Sequence, residues 1–326
     1  MQIGRVERNE YPIGLIVDIH DFCNASCRMC PYESLKGKLK RGRMKWELYE
    51  KIVDDFSSLM DRFKFEGVLT YCNMGEPFIF DDLEVYTKYA EERGIWVYIN
   101  TNASLMTPDK INRLIESGFK GAFNISFHAA TPELYQEIMG IPMEGAKRNI
   151  AYLLDHYPKE HISFNVLNYH WPKGEEEKVR ALFAEWGVEV EVNNPISRGG
   201  LLPLRRRYVR HLAGCAPERV LYQMVICHDG DVILCCNDMG RREVVGNLEK
   251  NSIYEVWNGE AFARYLEQIY LGKPSDPNMI CHWCEESVLY WSWRRMAKSL
   301  VPNGVRKWIK KRKRRNDWGV AKHANL

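Results

Sequence analysis

Long apolar runs are missing from this 326-residue sequence. No stretch approaches the roughly eighteen apolar residues of a membrane-spanning helix, and the polar opening MQIGRVERNEYP lacks the apolar core of a signal peptide. We therefore expect a globular protein in the cytoplasm, where thiols stay reduced. Its 10 cysteines are then better explained as metal ligands than as disulfides.

Acidic residues are missing from segment 294–315, although it holds 11 Lys and Arg. The rest of the chain has 35 basic and 43 acidic residues, so an acidic body precedes a basic, amphipathic tail that we assign to residues 291–326. The first expectation for the tail is a solvated cationic segment. Val305, Trp308 and Ile309 follow helical spacing, so peripheral contact with an anionic membrane comes second. Nucleic acid comes last, because no binding fold for it is recognised.

Strand-like runs rich in β-branched and aromatic residues alternate with amphipathic helical segments from Gly14 to about Val192. The strand-like runs are GLIVDIH, GVLTYC, IWVYIN, GAFNISF, HISFNVLN and VEVEV. This alternation predicts an α/β fold with a parallel sheet, either open or curled into a partial (β/α)6 barrel. We assign the barrel to residues 1–195.

A smaller second domain is predicted at residues 196–290, since the chain is long enough for more than one core. Its hairpin LYQMVICHDGDVILCC turns at Asp229-Gly230, and a further turn is expected at Gly246-Asn247. The following segment SIYEVWNGEAFARYLEQIYLG is predicted to be helical.

A fourth cysteine is missing beside Cys23, Cys27 and Cys30. The three cysteines directly follow the first strand, at the carboxyl edge where parallel sheets gather their sites. Three neighbouring thiolates suggest an iron–sulfur cube with one iron left open. A structural zinc site completed by His20 or by a ligand distant in sequence is the alternative.

Polar residues end the next three strands. Gly75, Glu76 and Pro77 follow the second strand, where a turn stiffened by proline can present backbone groups and a carboxylate to an ammonium ligand. The third and fourth strands end in four further polar side chains, which are Thr101, Asn102, Ser126 and His128. Polar groups on consecutive strand ends predict one shared binding site, and the short side chains of TNA suit a ribose.

These motifs resemble those of the radical S-adenosylmethionine (radical SAM) enzymes, over roughly residues 14–192. The cysteine triad matches the family's cluster motif, GEP matches the turn that holds the methionine amino group, and TNA and the Ser126 region match positions that contact ribose and carboxylate. The resemblance implies that S-adenosylmethionine binds the open iron of a [4Fe-4S] cluster. It also implies a 5′-deoxyadenosyl radical that removes a hydrogen atom from the substrate. Met29 and Asn73-Met74 depart from the family's usual residues without removing a ligand.

Cys215, Gly230 and Cys235, followed by Cys281 and Cys284, resemble the SPASM auxiliary-cluster domain in its shorter, twitch form. The resemblance implies a second [4Fe-4S] cluster on the four cysteines, and zinc on the same sulfurs is the alternative. The tetrapeptides SRGG and CCND look like those of the twitch-containing aminocyclitol dehydrogenases.

Three cysteines remain: Cys72, Cys227 and Cys236. Each is either a small core residue or a hydrogen-atom donor to a substrate radical. Cys72 lies nearest the predicted active edge, and Cys236 is also an alternative to Cys235 as cluster ligand.

Two other side chains complete the candidate catalytic set with Cys72. His128 either pairs with a backbone carbonyl or accepts a proton near the substrate. Arg198, in SRGG, either binds a substrate or cofactor oxygen or forms an interdomain salt bridge.

The resemblance implies an oxidoreductase that dehydrogenates a sugar, a cyclitol or a related natural-product intermediate. An epimerase with a cysteine hydrogen donor is the alternative, and peptide modification is the third reading. The implied partners are a small-molecule substrate and an external one-electron donor such as flavodoxin or ferredoxin. A non-enzymatic metal-binding protein that docks on nucleic acid or membrane is the rival from a different class.

Overall fold

The computed structural model describes residues 2–3, 6–204 and 208–289. The expectations for the basic tail fall on residues outside this part of the chain. None of the described helices combines the length and the apolar character that crossing a membrane requires.

Strands and helices alternate over most of the described chain. The strands are β1 Gln2–Ile3, β2 Val6–Glu7, β3 Gly14–Val17, β4 Val68–Tyr71, β5 Trp96–Thr101, β6 Ala122–Ser126, β7 Ile162–Leu167, β8 Val192–Asn193, β9 Leu212–Cys215, β10 Gln223–Ile226, β11 Asp231–Ile233, β12 Val244–Asn247 and β13 Ser287–Leu289. The helices are α1 Trp46–Phe63, α2 Leu83–Glu91, α3 Pro108–Glu116, α4 Pro132–Met139, α5 Met143–His156, α6 Glu175–Glu185, α7 Ile253–Asn258 and α8 Glu260–Leu271.

Strands β3 to β8 are parallel and adjacent in chain order, as the alternating pattern predicts. Helices cross over between consecutive strands, because parallel strands cannot be joined by a tight turn. Their carboxyl ends therefore share one edge of the sheet. The VEVEV run forms only the short strand β8, since it pairs with β7 through its last residue, Val192, and through Asn193.

The two faces of the sheet have different chemistry. Val17, Tyr71, Ile99 and Phe123 are neighbours across β3 to β6, and each is at most 1% exposed. This apolar face packs against the helices, as the hydrogen bond between Tyr71 and Tyr49 of α1 shows. Side chains one residue further along each strand point to the opposite, inner face.

The predicted hairpin of the second domain forms β10 and β11, and it extends the sheet beyond β3. β10 pairs in parallel with β3, β11 and β12 follow antiparallel, and the full sheet has nine strands. Gly230 turns the hairpin with a φ of +81°. The turn expected at Gly246-Asn247 is wrong, because both residues pair with β11 as the end of β12. The predicted helical segment is two helices, α7 and α8, with Gly259 between them.

Candidate active site

The first cysteine group, Cys23, Cys27 and Cys30, lies on the loop after β3, and its backbone is fixed locally. The Cys23 amide donates to the Tyr32 hydroxyl at 2.7 Å, and the Cys30 amide donates to the Cys27 carbonyl at 3.0 Å. The Cys27 thiol donates to the Met139 carbonyl at 3.6 Å, so the end of α4 packs on the loop. All three cysteine residues are half-buried at the carboxyl edge of the sheet.

The donor chemistry of this group fits an iron–sulfur cube. Burial raises the pKa of all three thiols, that of Cys23 to about 12, and the neighbouring cysteine charges raise those of Cys23 and Cys27 further. Free thiolates are therefore unfavourable here, whereas a metal centre deprotonates the thiols that bind it. No three His, Cys, Asp or Glu side chains of the described residues meet as a single-ion site. Thiolates of a cube bind separate irons and do not need to meet at one point.

His20, the predicted ligand of the zinc alternative, is fully buried beside the loop. Its Nδ1 accepts the Phe22 amide at 3.1 Å, and its ring contacts the ring of Phe80 edge-on. Burial lowers the pKa of His20 to about 4, which keeps the ring neutral at neutral pH.

Glu76 connects the ends of β4 and β5. Its Oε1 accepts the Thr101 hydroxyl at 2.7 Å and the Phe78 amide at 3.2 Å, and its Oε2 accepts the Asn102 amide at 2.7 Å. Burial raises the pKa of Glu76 to about 7, although the bonds from Asn102 and Thr101 lower it. The carboxylate that the sequence suggested for an ammonium ligand thus binds three groups of the protein itself.

The turn containing Glu76 also touches the loop that carries the first cysteine group. The Glu76 amide donates to the Phe22 carbonyl at 2.8 Å. Gly75 has a φ of +111°, and a Cβ there would lie 3.0 Å from the carbonyl oxygens of His20 and Phe22. Glycine is therefore needed for this close approach of two backbones. The side-chain amide of Asn102 donates to the Oδ1 of Asn24, the residue after Cys23, at 3.1 Å.

Ser126 and His128 lie at the end of β6. Ser126 is half-buried and is adjacent to Asn165 of β7. The Nδ1 of His128 accepts the Leu167 amide at 3.2 Å, so the ring links the ends of β6 and β7. Burial lowers the pKa of His128 to about 4. One expectation for His128 is a pairing of its ring with a backbone carbonyl. Its Nδ1 does pair with the backbone, but the partner is the amide of Leu167.

A row of amide and hydroxyl groups crosses the inner face of the sheet, and sequence reasoning missed it. We call Asn100, Asn124 and Ser163 the inner polar row. The Asn124 amide donates to Asn100 at 2.9 Å, and the Ser163 hydroxyl donates to Asn124 at 3.3 Å. All three residues are half-buried. Their β5–β6–β7 register brings them together, so the strand pairing was the signal that the separate motifs did not contain.

Cys72 lies at the end of the same row. Its carbonyl accepts the Asn100 amide at 3.3 Å, and its thiol donates to the His20 carbonyl at 3.9 Å. The residue is 4% exposed, and burial raises the pKa of its thiol well above the ordinary value. Asp18, on β3's side of the row, accepts the amides of Asn73 and Met74 at 2.7 and 2.8 Å.

The second cysteine group, Cys215, Cys235, Cys281 and Cys284, is assembled from separated stretches. Strand β9 ends at Cys215 and pairs with β13, whose Ser287 follows the last of these cysteines by three residues. Burial raises the pKa of Cys215 to about 12, and the charge of Cys284 raises it further. The hydrogen bond with Cys236 raises the pKa of Cys235 and burial raises that of Cys281, and the charge of Cys215 raises both further. Cys235 and Cys284 are buried, Cys215 and Cys281 are half-buried, and the pKa values of all four thiols are raised. Thiols that ionise unfavourably on their own fit a cationic centre, as in the first group.

Asn237 joins two members of the second group. Its backbone amide donates to the Cys235 sulfur at 3.4 Å, and its side-chain amide donates to the Cys284 sulfur at 3.7 Å. Asn237 is 1% exposed. Its Oδ1 accepts Arg198 at 3.1 Å.

Cys236 has different surroundings from Cys235. It packs against the small apolar cluster of Val225, Cys227 and Ile233. The hydrogen bond between the two adjacent thiols lowers the pKa of Cys236 and raises that of Cys235.

Arg198 is close enough to Cys30 of the first cysteine group and to Cys236, the neighbour of Cys235, for its charge to act on both. Burial raises the pKa of Cys30 and the hydrogen bond with Cys235 lowers that of Cys236; the positive charge of Arg198 makes a smaller, lowering contribution to both. Arg198, Gly199 and Gly200 have φ values of +51°, +60° and +84°. A Cβ on Gly199 would lie 3.0 Å from Ile280, so SRGG is pressed against the 3-10 helix that contains Cys281. The Arg198 guanidinium donates to Asn237, which lies in the same predicted domain, residues 196–290, so this contact does not bridge the domains.

An α/β barrel with three cysteines at its carboxyl edge and a second cysteine group beside it defines an iron–sulfur enzyme. The Radical SAM superfamily pattern matches residues 17–183, and the SPASM pattern, an iron-sulfur cluster-binding domain, matches residues 215–285. The chain belongs to the radical SAM superfamily. It is therefore an enzyme that uses a [4Fe-4S] cluster and S-adenosylmethionine, with further iron–sulfur binding in its second domain. The non-enzymatic alternative is not retained.

Individual relatives extend over both domains. The S-adenosyl-L-methionine-dependent 2-deoxy-scyllo-inosamine dehydrogenase of Niallia circulans is 22% identical over 261 residues, which cover 78% of this chain and 86% of that protein. The solved structure of BtrN in complex with AdoMet and 2-DOIA is 19% identical, with a TM-score of 0.55, and covers 80% of this chain and 87% of that one.

A second structural relative is Streptococcus suis SuiB bound to the precursor peptide SuiA. It is 15% identical, has a TM-score of 0.60, and covers 85% of this chain and 70% of that one. At these identities the structures show the fold, and they confirm the α/β barrel that the strand pattern predicts.

Proposed function

We propose that this radical SAM enzyme oxidises a polar, hydroxylated small molecule such as a sugar or a cyclitol. The observation that carries the proposal is the inner polar row, which crosses the inner face of the sheet that has the first cysteine group at its carboxyl edge, together with the second cysteine group in the adjoining domain. Amide and hydroxyl side chains both donate and accept hydrogen bonds, as does a substrate with several hydroxyls. The dehydrogenase of Niallia circulans, named for 2-deoxy-scyllo-inosamine, supports the same substrate class.

The site residues receive these roles. The first cysteine group holds a [4Fe-4S] cluster, and the strand-end residues hold S-adenosylmethionine; these are Gly75, Glu76, Pro77, Thr101, Asn102 and Ser126. When bound, the two groups supply a carbon radical that removes hydrogen from an unactivated C–H bond. We assign the barrel to residues 1–195 and the second domain to residues 196–290.

Glu76 acts within this site by holding other groups in place. Its three hydrogen bonds fix the ends of β4 and β5 relative to each other. The ammonium of S-adenosylmethionine is then left to the backbone of the turn. The internal bonds of Thr101 and Asn102 likewise hold them at the edge where a ribose would lie.

The second cysteine group favours oxidation over a redox-neutral reaction. A substrate radical next to a hydroxyl must lose one electron and one proton to become a carbonyl. An iron–sulfur centre on the second cysteine group is a suitable electron acceptor. We assign His128 as the proton acceptor of this step; burial lowers its pKa to about 4, so its ring is neutral at neutral pH and is a weak base. Arg198, bonded to Asn237, is assigned to a substrate or cofactor oxygen.

Substrate isotope transfer tests the function. Cyclitols and sugars with deuterium on each carbinol carbon are incubated with the reconstituted enzyme, dithionite and S-adenosylmethionine. We expect deuterium in 5′-deoxyadenosine and a ketone product from one of them. If no hydroxylated substrate transfers deuterium while a peptide does, the peptide-modifying alternative replaces the proposal.

Epimerisation is the second candidate, and the position of Cys72 on the inner polar row favours it. An epimerase needs a hydrogen donor on the face of the radical opposite to the abstraction. The variants Cys72→Ala, Cys227→Ala and Cys236→Ala separate the reactions: a dehydrogenase keeps forming its ketone in all three. An epimerase loses its activity in one of the three variants. The product of the wild-type epimerase contains solvent deuterium when the reaction is run in D2O.

The cell must supply the electron that starts the reaction. We propose a cytoplasmic one-electron donor such as flavodoxin or ferredoxin. Peripheral membrane contact stays a proposal for residues 291–326, with a solvated tail as its first alternative.

A further inference from the structure

The loop after the first cysteine group is strongly basic. We call residues 33–45 the basic loop, since they contain six Lys and Arg and a single acid, Glu33. The chain outside segment 294–315 has fewer basic residues than acidic ones, 35 against 43, so this loop is a local positive region on an acidic body. Lys36, Lys38 and Lys40 are exposed.

The basic loop is held firmly against the first cysteine group. Arg41 donates to the carbonyls of Asp21 and Tyr32, both at 2.9 Å, and its guanidinium lies 3.5 Å from the Tyr32 ring centre. The Gly42 amide donates to the Asp21 carboxylate at 2.8 Å. Tyr32 in turn accepts the Cys23 amide. Arg41 and the backbone of the loop at Gly42 therefore keep a fixed position relative to Cys23, and the exposed lysines precede them in the same loop.

A cavity connects this surface with the first cysteine group. It has a volume of about 350 Å³, and its lining runs from the exposed part of the loop to the cysteine: Cys23, Tyr32, Glu33, Lys36, Gly37, Leu39 and Arg41. Gly37 has a φ of +74°, and a Cβ there would meet nothing within 4 Å. The cavity thus brings the outer surface close to a redox centre bound at Cys23.

The one acid in the basic loop neutralises the charge of the exposed lysines only weakly. The carboxylate of Glu33 lies 4.0 Å from Lys36, and both side chains are about half or more exposed, so the pair is weak. A positive surface of this kind attracts an acidic partner and steers its approach.

We propose that the basic loop is the docking surface for an acidic one-electron carrier protein. The carrier loses one electron, and the [4Fe-4S] centre at the first cysteine group gains it; no bond forms or breaks in this step. The proposal rests on the cluster assignment within the proposed function and does not depend on which substrate the enzyme uses.

Charge reversal with two reductants tests the surface. The triple variant K36E/K38E/K40E is compared with the wild type by the bleaching of cluster absorbance. Reduced flavodoxin is the acidic carrier, and reduced methyl viologen is a small cation that needs no docking surface. At low ionic strength we expect the flavodoxin rate to fall about tenfold or more, and the viologen rate to stay the same or rise. Added salt should diminish the difference.

A matched control reverses the same number of charges elsewhere. Lys64, Lys120 and Lys159 are exposed. They precede β4, β6 and β7, so they lie at the opposite edge of the sheet. The variant K64E/K120E/K159E should keep the flavodoxin rate within about twofold, because these charges lie far from the first cysteine group.

Several outcomes would overturn the docking proposal. They are an unchanged flavodoxin rate in K36E/K38E/K40E, an equal loss with both reductants, an equal loss in the control, or a wild type that neither flavodoxin nor ferredoxin reduces. Loss of binding to an RNA oligomer with unchanged reduction would assign the loop to nucleic acid instead. Because reduction is measured without substrate, a wrong substrate class leaves these results unaffected.

Discussion

The first cysteine group lies within one short loop, whereas the members of the second group come from three stretches between Cys215 and Cys284. The loop of the first group is closed by its own backbone and by Tyr32. The second group depends on the pairing of β9 with β13 and on the bonds of Asn237. A local site survives small changes in the tertiary structure, and an assembled site does not.

The largest expected effect comes from the first cysteine group, and it tests whether this group holds the cluster that forms 5′-deoxyadenosine. Replacing Cys27 by Ala removes one of three ligands, and no spare cysteine lies in that loop. We expect the loss of about four iron atoms per chain and a fall of 5′-deoxyadenosine formation to background. Cys227→Ala is the control, with iron and turnover unchanged. Full turnover in Cys27→Ala would contradict the assignment.

The next largest effect is expected in the second group, where it shows which of the adjacent Cys235 and Cys236 is the cluster ligand. The charge of Cys215 acts on Cys235, whereas Arg219 and Arg198 act on Cys236. Cys235→Ala should lose about four iron atoms, while Cys236→Ala should keep them. Formation of 5′-deoxyadenosine without substrate should persist in both variants. Iron counts in the reverse order would make Cys236 the ligand.

The contrast between the groups also explains what the sequence could predict. The parallel strands, the first cysteine group and the β10–β11 hairpin follow from local patterns, and the structure has them in these places. The inner polar row depends on the register between β5, β6 and β7, which no local pattern encodes. The pattern suggested a ligand-binding carboxylate at Glu76, but the approach of β5 supplies it with internal donors.

Glu76 fixes the strand ends next to the loop of the first cysteine group, and the free energy of unfolding measures how much its hydrogen bonds contribute. In Glu76→Gln an amide nitrogen must face either the Asn102 amide or the Thr101 and Phe78 donors, so one buried donor loses its acceptor. We expect a loss of about 1–3 kcal/mol in the free energy of unfolding. Urea denaturation measures it, and Glu116→Gln, at the exposed end of α3, is a control expected to change little.

The pH dependence of this loss has a defined sign. Burial raises the pKa of Glu76 from 4.5 to about 7, so the folded state binds its proton more tightly than the unfolded state does. The stabilising contribution is complete below pH 4.5 and is lost as the pH rises through 7. The glutamine variant lacks this titration, so its deficit relative to the wild type should be larger at pH 5 than at pH 8. A constant deficit would show that the carboxyl keeps an ordinary pKa.

Asn237 gives the smallest expected effect and tests whether the second group is tuned by its surroundings. A hydrogen bond to a cluster sulfur stabilises the more negative, reduced state, and so raises the reduction potential. Asn237→Leu removes the side-chain donor to Cys284 but keeps the backbone donor to Cys235. We expect the potential of the second centre to fall on the order of 50 mV, which corresponds to about 1 kcal/mol for one electron.

A redox titration followed by electron paramagnetic resonance measures both centres of Asn237→Leu in the same sample. The first centre serves as the internal control, because Asn237 bonds no sulfur of the first cysteine group. Asn237→Gln retains a side-chain amide and should recover part of the shift, which a purely structural loss would not do. If both centres moved together, the two cysteine groups would be coupled through Arg198 and not tuned separately, since Arg198 bonds Asn237 and its charge reaches Cys30.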